Sequence, residues 1–257
     1  MHTHTIDDGQ RPLGVVAVID DVSERRRLES VRRDFVANVS HELKTPSGAL
    51  GLLAETLLSE TDRAVIARLA SRIQTEAFRI NGIIDELLDL SRIEAEESPP
   101  RELVLADVVL AEAVERARPA SEETGVLIEL GQPVPVVAIM GDRRQMVSAV
   151  HNLLENAVRY SDAGTTVEVS AHLSNEHVDL VVKDEGIGIP AAEVDRIFER
   201  FYRVDQGRSR HTGGTGLGLS IVRHVAHNHS GEVLVESHEG EGSTFTIRLP
   251  LREDRDQ

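Results

Sequence analysis

Four stretches of the 257-residue chain set side chains where they could hold or move a charged group. Ser40-His41-Glu42-Leu43-Lys44-Thr45-Pro46 puts a titratable imidazole beside a carboxylate, with a Thr-Pro pair inside one helical turn. A helix interior is a poor place for proline, so packing alone does not account for this stretch. Asn152 and Asn156 stand four residues apart, which brings their amide oxygens to one helix face. Hard oxygen donors suit Mg2+, an ion that keeps waters and takes its other ligands from substrate phosphates. A single such asparagine would be an ordinary polar surface residue; the constellation around this pair points to a ligand.

Asp184-Glu185-Gly186-Ile187-Gly188-Ile189-Pro190 follows a strand-like run. Its glycines allow tight backbone geometry, and a carboxylate at a strand end can accept a hydrogen bond from an exocyclic amine. Gly213-Gly214-Thr215-Gly216-Leu217-Gly218-Leu219-Ser220 runs into a helix, where glycines let backbone amides approach phosphates and the helix N-terminus favours an anion. No Gly-Lys-Ser/Thr follows, so this is not a Walker A loop. The sixth position counted from Gly214 is Leu219, which breaks the dinucleotide fingerprint. Between these two stretches, Ile197-Phe198-Glu199-Arg200-Phe201-Tyr202-Arg203 holds three of the seven aromatics and reads as a hydrophobic anchor. The polar stretch 204–214 lacks periodicity and is expected to be a flap over a ligand. Arg203, Arg208 and Arg210 could reach phosphates or simply keep that flap soluble.

The elements that must carry these residues follow from periodicity. Val31, Phe35, Val39, Leu43, Leu50, Leu53 and Leu57 recur at helical spacing over 23–58. After the polar interruption 59–62, Val65, Leu69, Ile73, Ile80, Ile84, Leu87 and Leu88 do the same up to Ser98-Pro99-Pro100. Two such helices bury one stripe each as an antiparallel hairpin, and a dimeric four-helix bundle completes them. Beyond residue 98 the pattern becomes α+β. Helices are expected at 106–123, 142–160, 192–198 and 216–229. Strands are expected at 126–129, 136–140, 166–173, 177–182, 232–237 and 244–249, giving a sandwich with helices on one face of a mixed sheet. Residues 13–19 read as one strand left over from an upstream domain.

Composition narrows the function classes. Aromatics are only 3% of the chain, so the core is aliphatic. Acidic residues outnumber basic ones 44 to 28, a net charge of -16 that disfavours nucleic acid. The chain has no cysteine, which excludes disulfides and thiolate chemistry. No apolar run approaches the roughly 20 residues of a membrane span, so the chain as it stands is expected to be soluble. His224, His227 and His229 cluster near a helix end without an acid to complete a metal shell, and read as surface residues.

In chain order, SHELKTP, HNLLENAVRYS, DEGIGIP, IFERFYRVD and GGTGLGLS resemble the H, N, G1, F and G2 boxes of sensor histidine kinases, a match covering about residues 23–250. The resemblance implies a remnant of a PAS-like sensor domain at 1–22, carried by GVVAVIDDVSERRRLE. It implies a dimerisation and histidine-phosphotransfer hairpin at 23–97 and a catalytic domain of the Bergerat ATP-binding type at 98–257. It also implies ATP and Mg2+ as cofactors, with Asn156 on the metal, helped by Asn152, and Asp184 reading the adenine amino group. Gly186 and Gly188 would shape the adenine pocket, and Arg159 and Tyr160 would line the nucleotide. Gly214, Thr215, Gly216, Leu217 and Gly218 would form the phosphate loop, with Arg203 near it. His41 would receive the phosphoryl group while Glu42 takes a ring proton, and Thr45 would position water for a reverse, phosphatase reaction. Pro46 is expected to let the helix bend. The implied partners are a second copy through the hairpin and a response-regulator receiver domain, with no nucleic acid. The expected location is cytoplasmic, with attachment to the inner membrane only through segments absent from this chain. The H-box region resembles that of phosphate-responsive sensor kinases.

Overall fold

The helical spacing from Val31 to Leu57 is realised as one helix, α1 (Ser23–Ser59), with Pro46 inside it. This computed structural model describes residues 2–7, 12–18, 23–95, 101–131, 137–174, 176–204 and 215–251, with side chains at Arg33 and from Phe35 onward. The expected boundary near residue 98 lies outside the described residues. By internal contacts the chain divides into two compact units, Met1–Lys44 and Thr45–Gln257. In the first unit, β1 (His2–Asp7) pairs antiparallel with β2 (Pro12–Val18), so the single strand expected at 13–19 is one arm of a two-stranded ribbon.

Only Glu60, Thr61 and Asp62 separate α1 from α2 (Arg63–Ala95). Both acids there cap backbone. The Glu60 carboxylate accepts the amides of Thr61 and Asp62 at 2.8 and 2.9 Å, and Asp62 accepts that of Ala64 at 2.8 Å. These bonds satisfy donors that a helix start leaves open. Among the described residues no helix is long and apolar enough to cross a membrane.

The remaining elements form an α/β sandwich. A five-stranded sheet runs in the order β4 (Leu127–Leu130), β6 (Thr166–Leu173), β7 (His177–Asp184), β9 (Gly242–Pro250), β8 (Glu232–His238). β4 and β6 are parallel and the other pairs antiparallel. Alternation along the strands builds the core: Val167, Val169 and Ala171, then Val178, Leu180 and Val182, then Phe245, Ile247 and Leu249 are all buried. Register places Val182 between Val169 and Phe245, and Leu180 between Ala171 and Ile247. Helices α3 (Ala106–Thr124), α4 (Arg143–Tyr160) and α5 (Gly218–Asn228) pack side by side, and α4 crosses β7. Asp142 caps α4 by accepting the Arg144 amide at 2.7 Å, while Gly125 closes α3 in the left-handed conformation at φ 73°.

Three details differ from expectation. β3 (Glu102–Leu105) pairs with β5 (Ala138–Gly141) as a separate two-stranded sheet, and four residues are too few to leave a readable period. The helix expected at 192–198 is a run of turns, closed by the Glu193 and Arg196 amides on the carbonyls three residues back. Tertiary anchors fix its shape: Ile197 and Phe198 are buried, Arg196 stacks on the Tyr202 ring at 4.3 Å, and the Tyr202 hydroxyl bonds Glu193. α5 starts at Gly218 rather than 216, because Gly216 sits at φ 74°, outside the helical region.

Candidate functional site

The alternation that buries Val178, Leu180 and Val182 also turns Asp184 to the core side, at the last position of β7. Only 6% exposed, its Oδ1 accepts the amides of Gly186 at 2.9 Å and Ser243 at 3.1 Å. Burial pushes the carboxyl above its ordinary range, and the two backbone donors pull it part of the way back. Both bonds fall on one oxygen, so the second carboxylate oxygen remains an acceptor for a ligand. The loop that follows runs tightly past the end of α4. A Cβ on Gly186 would lie 2.5 Å from the Tyr160 carbonyl, which also accepts the Ile187 amide at 3.2 Å. Only glycine passes there. The Tyr160 side chain itself is 38% exposed beside this loop.

Asn152 and Asn156 lie on α4 as the spacing required. Asn152 is buried and its Nδ2 donates to the Ser148 carbonyl at 2.8 Å. Its Oδ1 then faces the first residue of α5, where a Cβ on Gly218 would come within 2.7 Å of it. The side chain of Asn156 makes no hydrogen bond among the described residues. Arg159 sits 3.8 Å from Glu155, a loose ion pair one turn back. No group of three or more His, Cys, Asp or Glu side chains among the described residues is placed to hold a metal. The hard donors on offer are therefore the two amide oxygens, which fit an ion that takes its remaining ligands from phosphates and water.

Thr215 is buried between two elements. Its hydroxyl donates to Glu86 on α2 and accepts the Leu217 amide at 3.1 Å. The Gly216 carbonyl accepts the Phe201 amide at 2.9 Å, which ties the aromatic anchor to the glycine loop. Glu86 was not anticipated from the sequence. Burial pushes its carboxyl up to about 7, with Glu155 and Asp89 adding to the rise and the Thr215 bond and Arg159 opposing it. Arg203 is half-buried and Val204 exposed, while the rest of the expected flap, 205–214, with Arg208, Arg210 and Gly214, lies outside the described residues.

His41 is exposed on α1, its side chain 80% accessible, with Nδ1 3.8 Å from the Glu42 carboxylate. That separation allows attraction but exceeds a hydrogen bond. Thr45 is exposed one turn along the helix and Pro46 is buried. One histidine reading is corrected. His229 is not a surface residue: it is buried at 4% exposure, with Nε2 accepting the Asp142 amide at 3.0 Å and Nδ1 on the Val225 carbonyl at 2.7 Å. This imidazole splices the end of α5 to the start of α4, and burial holds it below the usual histidine range.

The structure thus brings together Asp184, Gly186 and Tyr160 at one end of α4, and Asn152 with Gly218 farther along it. Residues 141–253 match the family model described as histidine kinase-, DNA gyrase B- and HSP90-like ATPase, and residues 31–96 match the His Kinase A phospho-acceptor domain. The chain is 45% identical over 247 residues to the sensor-like histidine kinase SenX3 of Mycolicibacterium smegmatis, covering 95% of this chain and 64% of that protein. It is 34% identical over 248 residues to the sensor histidine kinase WalK of Bacillus subtilis, covering 95% of this chain and 40% of that one. The chain therefore spans less than two thirds of the curated relatives it matches. Among solved structures, the mycobacterial sensor histidine kinase MprB is 32% identical with a TM-score of 0.51, covering 58% of this chain and 97% of that chain.

Proposed function

This chain belongs to the sensor histidine kinases, and from that premise we propose that it transfers the γ-phosphoryl group of ATP to His41 and then to an aspartate of a response-regulator receiver domain. The observation that carries the reading is the convergence on α4 of a buried Asp184, the Asn152–Asn156 pair and the Gly218 helix start. Asp184 accepts from the adenine amino group through its second oxygen. Gly186 and Gly188 leave room for the ring, Arg159 and Tyr160 line the nucleotide, and amides of the 214–218 loop hold phosphates, with Arg203 contributing charge. Asn156, with Asn152, holds Mg2+; when bound, that ion offsets negative charge on the transferring group.

His41 attacks through Nε2. A nitrogen–phosphorus bond forms as the bond from the γ-phosphorus to its bridging oxygen breaks, and ADP leaves. Glu42 lies on the Nδ1 side and takes that nitrogen's proton once it closes the 3.8 Å gap. The exposure of His41 suits a group that must meet a nucleotide and then a second protein. Thr45, one turn on, positions water for dephosphorylation of the regulator. The hairpin at 23–97 pairs two copies, the domain at 98–257 binds nucleotide, and residues 1–22 are the end of a sensor domain. The chain works in the cytoplasm, with any hold on the inner membrane supplied by segments outside it.

The test is incubation with γ-labelled ATP and Mg2+. An acid-labile label is expected on the chain and none on His41→Ala; label that persists in that variant overturns the assignment.

A further inference from the structure

One face of α5 is used by nothing above. Ser220, Arg223, His224 and His227 recur at helical spacing and, with Arg200 and Leu90 of α2, line a cavity of about 250 Å3. Four of those six side chains are guanidinium or imidazole, and among the described residues no carboxylate lines the space. That is unusual in a chain where acidic residues outnumber basic ones 44 to 28. Leu90 is 2% exposed and Ser220 6%, so two walls are dry, whereas Arg223 and His227 reach solvent.

Two of the polar groups are held in place. The Ser220 hydroxyl donates to the Leu217 carbonyl at 2.7 Å, which leaves its oxygen lone pairs as the hydroxyl's remaining capacity. The Arg223 guanidinium lies over the Phe198 ring, 5.7 Å from its centre, a contact that restrains it without neutralising it. Two histidines three residues apart raise the question of a cation. The Arg223 guanidinium answers it, because it repels a metal ion and attracts an anion.

We infer that this cavity between α2 and α5 is a binding site for a small oxyanion of the phosphate class, gripped by Arg223 and His227 with Arg200 and His224 beside them. The site is separate from the nucleotide pocket and needs no phosphotransfer chemistry. It lies one helical turn beyond the glycine loop, and the Ser220–Leu217 bond joins the two.

Inorganic phosphate is the probe, added at constant ionic strength to the full chain saturated with ADP and Mg2+, with the histidine imidazole signals followed by NMR. Saturable shifts of His224 and His227 are expected. Arg223→Gln should weaken the apparent affinity about fivefold or more, since a charge-assisted contact is lost. Arg118→Gln, whose guanidinium pairs with Glu115 elsewhere on the surface, should change nothing. Shifts that never saturate, that vanish when ADP is present, or that survive Arg223→Gln unchanged overturn the inference. Affinity lost equally in Arg118→Gln shows bulk charge rather than a site and overturns it too.

Discussion

The helical pair and the sheet domain use one aliphatic alphabet to opposite ends. In the sheet domain every inward position of β7 and β9 is closed off, and Leu153 and Leu154 of α4 are about as dry as side chains become, at 1% and 0% exposure. Along α1 and α2 large apolar side chains beside the predicted stripe stay open, with Leu52 68% exposed, Leu58 90% and Phe78 65%, and within the stripe Ile84 and Leu88 are exposed too. Exposed apolar side chains of that size are finished by another surface, and the bundle of two copies proposed above supplies it. The contrast separates two designs. The nucleotide end is assembled within one chain, whereas the helical end presents His41 outward and, in the function proposed above, leaves its packing to a second copy.

The largest effect should come from breaking the self-contained end. Asp184→Asn keeps an acceptor for the Gly186 and Ser243 amides but offers an amide donor where adenine needs an acceptor. Loss of a buried charged acceptor is worth about 3 kcal/mol, roughly a hundredfold in nucleotide affinity. Calorimetry should show that loss while the circular dichroism spectrum and self-association stay as they were. An unchanged affinity would remove Asp184 from the pocket.

Next comes a paired test of the two kinds of packing. Leu153→Ala should cost about 2 to 5 kcal/mol in urea unfolding of the sheet domain, because the cavity it leaves cannot collapse. Leu52→Ala should leave that transition within about 0.5 kcal/mol. Its cost should appear in sedimentation as a weaker dimer. Equal effects of both variants on unfolding, with no change in association, would end the comparison.

Much of the closed end was readable because its signals are local. The alternation in β6, β7 and β9, the four-residue spacing of Asn152 and Asn156, and a glycine loop entering a helix each declare themselves within ten residues. What stayed hidden depends on partners distant in sequence. Glu86 reads as one more polar position on α2, yet its bond is to Thr215, 129 residues away. His229 looks like part of a surface cluster until its ring is seen to accept an amide 87 residues back. The turns at 191–199 have helical composition, and only the stacking of Arg196 on Tyr202 and the buried Phe198 override it. For the open end, the stripe on α1 and α2 predicted burial that one chain supplies at Leu69 but not at Ile84 or Leu88.

The smallest effect concerns one place in the larger unit where the two designs touch. Glu86 belongs to the open helical pair but is half-buried against Thr215 of the glycine loop, and its carboxyl rises from an ordinary 4.5 to about 7. Between those values the folded chain keeps a proton that the unfolded chain has released. Stability therefore falls as pH rises through that window and levels off above about 7. Glu155 and Asp89 raise the carboxyl and Arg159 lowers it, but burial is the leading cause, so the effect belongs to the contact itself. Glu86→Gln carries a neutral group at every pH and should remove this share of the slope. Thermal melts at matched ionic strength should show the two proteins diverging by a few degrees between pH 5 and 7.5, with the parent losing ground. Parallel curves would mean that α2 does not hold the loop in solution, and that the open helices and the closed domain are independent at this point as well.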